Sequence, residues 1–257
     1  MSRKALFFDI DGTLIDMQAG RISPRTVEAL QRLRARGIKL CVATGRSPIT
    51  LPDFGGAEFD GFLTFNGSLC YDRSGVILSH ALPAETVDKL LDNAAALGRP
   101  VSIATRDRLA ANGKDADLEE YYGFAHLKLE VAPDFEAVRR QEVYQVMLGC
   151  RMEDRAVVLA GVDGVKIAAW WDRAVDIIPT SGGKGAGVRS MLAHYGLKSE
   201  QAMAFGDGNN DLELLQAVGT GVAMANASAE LRAAADAVCG HVAQDGVYAW
   251  CVRQGLI

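Results

Sequence analysis

The sequence predicts an α/β protein in which the first and last thirds of the chain share a parallel sheet and a second α/β domain is inserted between them. Three observations carry this expectation. The apolar runs "KALFFDI" and "IKLCVAT" flank an amphipathic stretch, so strand, helix and strand follow one another as in a βαβ unit. Between residues 106 and 180 charged helical stretches alternate with short strands, within an insert taken as residues 83–180. From residue 181 the alternation of helix and apolar strand returns. A length of 257 residues suits one domain carrying an insert, or two domains, better than a single core.

"KALFFDI" is almost continuously apolar, which suits a strand buried on both faces of a parallel sheet. "SPRTVEALQRLRARG" has Ser23 as N-cap, Pro24 at the first helical position, and Val27, Leu30 and Leu33 spaced along one face, with Gly37 as the stop. In "FDGFLTFNGSLCYDRSGVILSHAL" the pairs Asn66-Gly67 and Ser74-Gly75 break short β-rich pieces, as in hairpins. "PAETVDKLLDNAAALG" reads as helix and "RPVSIAT" as extended, followed by the strands "YQVMLGC", "GVKIAAWW" and "AVDIIP". Trp170 and Trp171, adjacent in a strand, are expected to face opposite ways and to pack. "KGAGVRSMLAHYG", "AMAFGDG", "NDLELLQAVG", "TGVAMAN" and "ASAELRAAADAVC" then read as helix, strand, helix, strand and helix. The expected organisation is a core from residues 1–82 and 181–257, with 83–180 as the insert.

Composition narrows the classes of function. With 49% hydrophobic and 23% charged residues the chain can build a sizeable core, and a formal charge of -5 gives no basic excess for nucleic acid or an anionic membrane. The apolar stretch in "MSRKALFFDI" is too short for a signal peptide and no run reaches transmembrane length, so a cytoplasmic protein is expected. Cys41, Cys70, Cys150, Cys239 and Cys251 are odd in number and lack a C-x-x-C pair, which points to buried free thiols. The histidines have no metal-binding spacing.

Ligands of an open parallel sheet bind beyond the carboxyl ends of its strands. "DIDGT" and "ATGR" follow the first two strands, "GGKG" precedes a helix and "GDGNND" follows a later strand. If these converge, Asp9, Asp11, Thr44, Lys184, Asp207, Asn210 and Asp211 share one site. Several carboxylates beside one lysine suit a hard divalent cation such as Mg²⁺, which relieves the repulsion between Asp9 and Asp11 and attracts an anionic substrate. Asp9 could then attack phosphorus. Asp11 could hand a proton to the leaving alcohol and later take one from water. Thr44 and the backbone N–H groups near Gly12 and Gly45 could hold phosphoryl oxygens, with Lys184 offsetting charge. Taken singly, each piece has a plainer reading: D-x-D as a turn or cap, "GGKGAG" as a junction with a solvated lysine. "GDGNND" lacks the order and distal Glu of a calcium loop, and neither the Walker pattern nor G-x-G-x-x-G occurs. Arg106, Arg108 and Lys114, near a glycine-containing turn, could touch an anionic substrate or be solvated.

In order, "DIDGTLID", "CVATGR", "GGKG" and "GDGNND" resemble the four signature motifs of the haloacid dehalogenase superfamily of phosphohydrolases. "TFNGS", "GVAMANASAELRAAADAVC" and "DGVY" resemble its Cof-type branch (subfamily IIB), which carries a large α/β cap of the C2 type between the second and third motifs. The resemblance implies a Rossmann-like core and a Mg²⁺-dependent phosphatase of small phosphate esters such as sugar or cofactor phosphates, with a phosphoaspartate intermediate. By position, Asp9 matches the nucleophile and Asp11 the acid/base whose carbonyl also meets the metal. Thr44 matches the phosphate-binding hydroxyl, Lys184 the motif lysine, Asp207 the metal-binding acid, and Asp211 an acid that supports the metal or Lys184. Gly12, Gly45, Arg46 and Asn210 fall at recurrent phosphate-side positions. A phosphotransferase or mutase using the same phosphoenzyme, or a non-catalytic module that binds phosphate ligands, remain as alternatives. No nucleic-acid or membrane partner is expected.

Overall fold

The computed structural model of the protein describes residues 3–257; Met1 and Ser2, with which the expected first core segment begins, lie outside the described residues. The first segment runs β1 (Ala5–Phe8), β2 (Ile15–Asp16), β3 (Arg21–Ile22), α1 (Pro24–Ala35), β4 (Lys39–Ala43), β5 (Gly61–Thr64), β6 (Leu69–Asp72) and β7 (Gly75–Ser79). Next come α2 (Ala84–Ala96), β8 (Val101–Thr105), β9 (Leu109–Ala111), α3 (Ala116–Phe124), α4 (Phe135–Val138), β10 (Val143–Gly149), α5 (Arg155–Val158), β11 (Val165–Ala168) and β12 (Ala174–Pro179). The chain ends with α6 (Lys184–His194), β13 (Ala202–Gly206), α7 (Leu212–Gln216), β14 (Gly221–Ala223), α8 (Ala229–Ala234), β15 (Ala237–Val238) and α9 (Gly246–Arg253). These elements form two compact units, one of Met1–Thr44, Pro52–Ser79 and Lys184–Ile257, the other of Gly45–Leu51 and His80–Gly183. No helix among the described residues is long and apolar enough to cross a membrane.

The first unit is built on a sheet of strand order β15-β14-β13-β1-β4-β5-β6-β7. Strands β15 to β5 run parallel, and β6 and β7 return as hairpins. All four residues of β1 are buried, because its faces are covered from both sides. Ala5 and Phe7 join a cluster with Val188 and Met191 of α6 and Leu214 and Leu215 of α7. Leu6 and Phe8 are equally buried and therefore face the opposite layer, where α1 packs on β4 and α9. Phe8 pairs in register with Phe205 of β13, and their rings stack 5.1 Å apart at 7°. On α1, the Ser23 hydroxyl caps the helix by accepting from the Thr26 N–H, and Gly37, at φ +75°, ends it.

The second unit carries an antiparallel sheet of order β11-β12-β10-β8-β9. One face packs Val101, Ile103, Val146, Leu148 and Val175 under Leu90 and Ala94 of α2.

Two sequence readings need correction. "ASAELRAAADAVC" is not one helix. Ser228 caps α8, and the chain then leaves the helix because the Asp236 carboxylate accepts from the Gly221 N–H and Ala237 and Val238 pair with β14. Trp170 and Trp171 lie beyond β11, so strand alternation does not separate them; both rings stack on Tyr121, at 5.5 and 6.2 Å, and both meet Phe124 edge-on. The five cysteines are free and buried.

Because Phe8 and Phe205 pin β1 to β13 in the core, Phe205→Ala is expected to lower stability by about 3–5 kcal/mol in urea unfolding. A loss under about 1 kcal/mol would mean that this stacked pair is not the anchor of the two strands.

Candidate active site

Parallel register sets the geometry of the site. β1 lies between β4 and β13, with Phe8 opposite both Val42 and Phe205. Asp9 extends the ladder by donating its N–H to the Phe205 carbonyl at 3.0 Å, so it emerges level with the turn that carries Asp207. On the other side Thr44, buried at the end of β4, donates its N–H to Leu63 and accepts from the Asn66 N–H.

Past Asp9 the chain turns sharply. Leu14 and Ile15 both donate N–H to the Ile10 carbonyl, and the Gly12 N–H donates to Ile15 at 2.8 Å. Gly12 sits at φ +83°, and a Cβ there would lie 2.1 Å from Oδ2 of Asp207, so both conformation and space require glycine. Thr13 Oγ1 donates to the other Asp207 oxygen at 3.0 Å.

Lys184, the first residue of α6, is only 1% exposed. Its ammonium donates to Oδ1 of Asp9 at 2.6 Å and to Oδ1 of Asp211 at 2.5 Å. Asp211 is fully buried; its second oxygen accepts the N–H groups of Asp207 and Gly208 at 3.0 and 3.1 Å. Asp211 therefore ties the lysine to the Asp207 turn. Asp9, Asp207 and Asp211 each offer a carboxylate oxygen within 4.8 Å of the others.

One ammonium does not balance this much negative charge. Burial raises the Asp9 carboxyl to about 7, helped by Asp211 and Asp11 and opposed by Lys184. Burial, then the charges of Asp9 and Asp211, hold Asp207 well above the usual carboxylate range. Although burial disfavours the charged ammonium, the two carboxylates push Lys184 higher still. A divalent cation fits such a donor set. Oxygen ligands close together, short of compensating charge and partly open at Asp207, suit a hard ion.

Of the residues singled out in the sequence, Asp9, Lys184, Asp207 and Asp211 stand side by side, and Gly12 packs against Asp207. Asp11 is half-exposed, bridging to Ile15 within the same turn. Asn210 donates to Oδ1 of Asn66 at 3.3 Å. Gly45 and Arg46 belong to the second compact unit, where Arg46 donates to the Thr50 carbonyl. In that unit Arg108 is held by both oxygens of Asp134, and Lys114 lies 3.9 Å from Glu119. Sequence reasoning assigned no role to Thr13, Asn66, Asn226 or Ser228. Asn66 had a signal, since "FNG" invites a left-handed turn, and Phe65, Asn66 and Gly67 all have positive φ.

The haloacid dehalogenase-like hydrolase family matches residues 6–250, and the chain belongs to that family. It is an enzyme of the phosphatase type, an α/β protein of the superfamily's architecture. The protein YkrA of Bacillus subtilis (strain 168) is 31% identical over 261 residues, covering all of both chains. An HMP-PP phosphatase of Escherichia coli O6:H1 is 29% identical over 245 residues, covering 91% of this chain and 88% of its own. Among solved structures, a sugar phosphatase of HAD subclass IIB superposes with a TM-score of 0.90 at 31% identity, covering 99% of this chain and 100% of its own.

Two outcomes test the charge balance. Because the Asp9 carboxyl is raised from 3.8 to about 7, its contribution to stability is complete below the unfolded value and is lost as pH rises through 7. A cation that replaces the proton should then raise the melting temperature more at about pH 8 than at about pH 5.5; equal shifts would contradict the assignment. Gly12→Ala should cost at least about 1 kcal/mol and weaken the cation-induced shift, read by thermal denaturation with and without the ion.

Proposed function

We propose that the chain is a Mg²⁺-dependent phosphohydrolase that removes phosphate from a small organic ester, a sugar phosphate or a cofactor phosphate, through a phospho-Asp9 intermediate. The observation that carries this reading is the Asp9 carboxylate at the end of β1, with one oxygen held 2.6 Å from buried Lys184 and Asp207 beside it. A carboxylate fixed at one oxygen presents the other for attack. The substrate class follows the relatives named as a sugar phosphatase and an HMP-PP phosphatase.

In this reading, Oδ2 of Asp9 bonds to phosphorus as the ester P–O bond breaks, and Asp11 gives its proton to the departing alcohol. Water then attacks phosphorus while Asp11 takes a proton from it, freeing Asp9 and inorganic phosphate. Lys184 offsets charge on Asp9 and on the phosphoryl group, and Thr44 holds a phosphoryl oxygen with Asn210 beside it, whereas the Gly12 N–H, already bound to the Ile15 carbonyl, shapes the turn instead of binding phosphate. Asp9, Asp207 and the Asp11 carbonyl would hold the ion, with Asp211 fixing Lys184. Mg²⁺ bound there would supply Lewis acidity toward the phosphoryl group and offset the charge of the carboxylates. Residues 1–82 and 181–257 then form the catalytic core and 83–180 the cap.

Phosphate release from a panel of sugar and cofactor phosphates, with Mg²⁺ and with chelator, tests the reading. Release should require the ion and fall at least about 1,000-fold in Asp9→Asn without loss of fold. Retained turnover in a clean preparation of that variant rejects Asp9 as the nucleophile.

A further inference from the structure

The turn between β14 and α8 touches both loops of the carboxylate cluster. Its Ser228 N–H donates to the Asp207 carbonyl at 2.9 Å. Its Asn226 side chain reaches back 214 residues to the Gly12 carbonyl, donating from Nδ2 at 2.7 Å. The other end of that amide accepts the Val242 N–H at 3.0 Å. This second bond fixes the orientation: Val242 can only donate, so Oδ1 must face it, and Nδ2 must face Gly12.

We propose that Asn226 is a positioning residue for the cation and phosphoryl site, holding the turn past Asp11 in place through the Gly12 carbonyl. Both sides of the Gly12 peptide region are thereby committed. The Gly12 N–H is bound to Ile15, its carbonyl to Asn226, and its Cα packs where Asp207 leaves no room for a side chain. Thr13, the next residue, holds Asp207. A slip of the Gly12 carbonyl therefore moves Asp11 on one side and the Thr13–Asp207 contact on the other. Because Val242 anchors the amide, the C-terminal segment supports a loop at the opposite end of the sequence.

The inference rests on the phosphatase reading only for what the site binds, so the test separates loop from ligand. Amide exchange of Gly12, Leu14 and Ile15 is followed in Asn226→Ala, with the β4 amides as reference, and MgCl₂ affinity is measured by calorimetry without substrate. Exchange at the three amides should rise about fivefold with β4 unchanged, and Mg²⁺ affinity should fall about tenfold. Asn226→Asp keeps the acceptor for Val242 but faces Gly12 with an oxygen, so it should loosen the same amides. Unchanged exchange in either variant overturns the proposal, as does local loosening with full Mg²⁺ affinity in Asn226→Ala. If the native protein binds no Mg²⁺, the phosphatase reading fails, and the exchange data still decide whether Asn226 holds the loop.

Discussion

One buried ammonium shared between two buried carboxylates, with a third carboxylate beside them, is the constraint around which this core is arranged. Lys184 is nearly inaccessible, and losing its hydration is tolerable only because Asp9 and Asp211 accept hydrogen bonds from its ammonium, with N···O distances of 2.6 and 2.5 Å. Burial first, and then the neighbouring carboxylates, raise both Asp9 and Asp207, since negative charge still exceeds positive. The protein thus keeps an electrostatic deficit that a cation can fill. Close packing follows from the same demand: Cβ atoms at Gly12 and Gly206 would lie 2.1 Å from Asp207 and 2.6 Å from Asp211.

The sheet makes this crowding possible. Parallel strands end at the same edge, and the in-register pairing of β1 with β4 and β13 brings Asp9, Thr44 and the Asp207 turn to neighbouring positions without a dedicated scaffold. Asp211 and Thr13 then refine the placement through hydrogen bonds to backbone and carboxylate.

Much of this was legible in the sequence where a local signal coincided with a tertiary rule. "ALFF" reads as a doubly buried strand, and carboxylates after such strands fall at the edge where ligands bind, so the proximity of Asp9 and Asp207 could be expected before any coordinates. Ser23, Pro24 and Gly37 marked α1 by capping chemistry alone. What could not be read depended on distant partners. The alanine-rich tail of "ASAELRAAADAVC" has high helix propensity, yet pairing with β14 makes it a strand. Trp170 and Trp171 share Tyr121 and Phe124 as partners because the strand stops before them. Asn226 sits in an unremarkable turn, and only the fold reveals that it faces Gly12. Arg108 is held by Asp134, 26 residues further along the chain.

The separation of contacting residues has a consequence for the order in which the molecule is made. Lys184 meets Asp9 across 175 residues, and Thr13 meets Asp207 across 194. During synthesis, β1 therefore emerges long before β13, and its apolar edge stays unpaired while most of the chain is still to come. The antiparallel sheet of the second unit has all its strands between His80 and Gly183, so it can close on itself in the meantime. The carboxylate cluster, by contrast, cannot assemble until residues from both ends of the sequence are present.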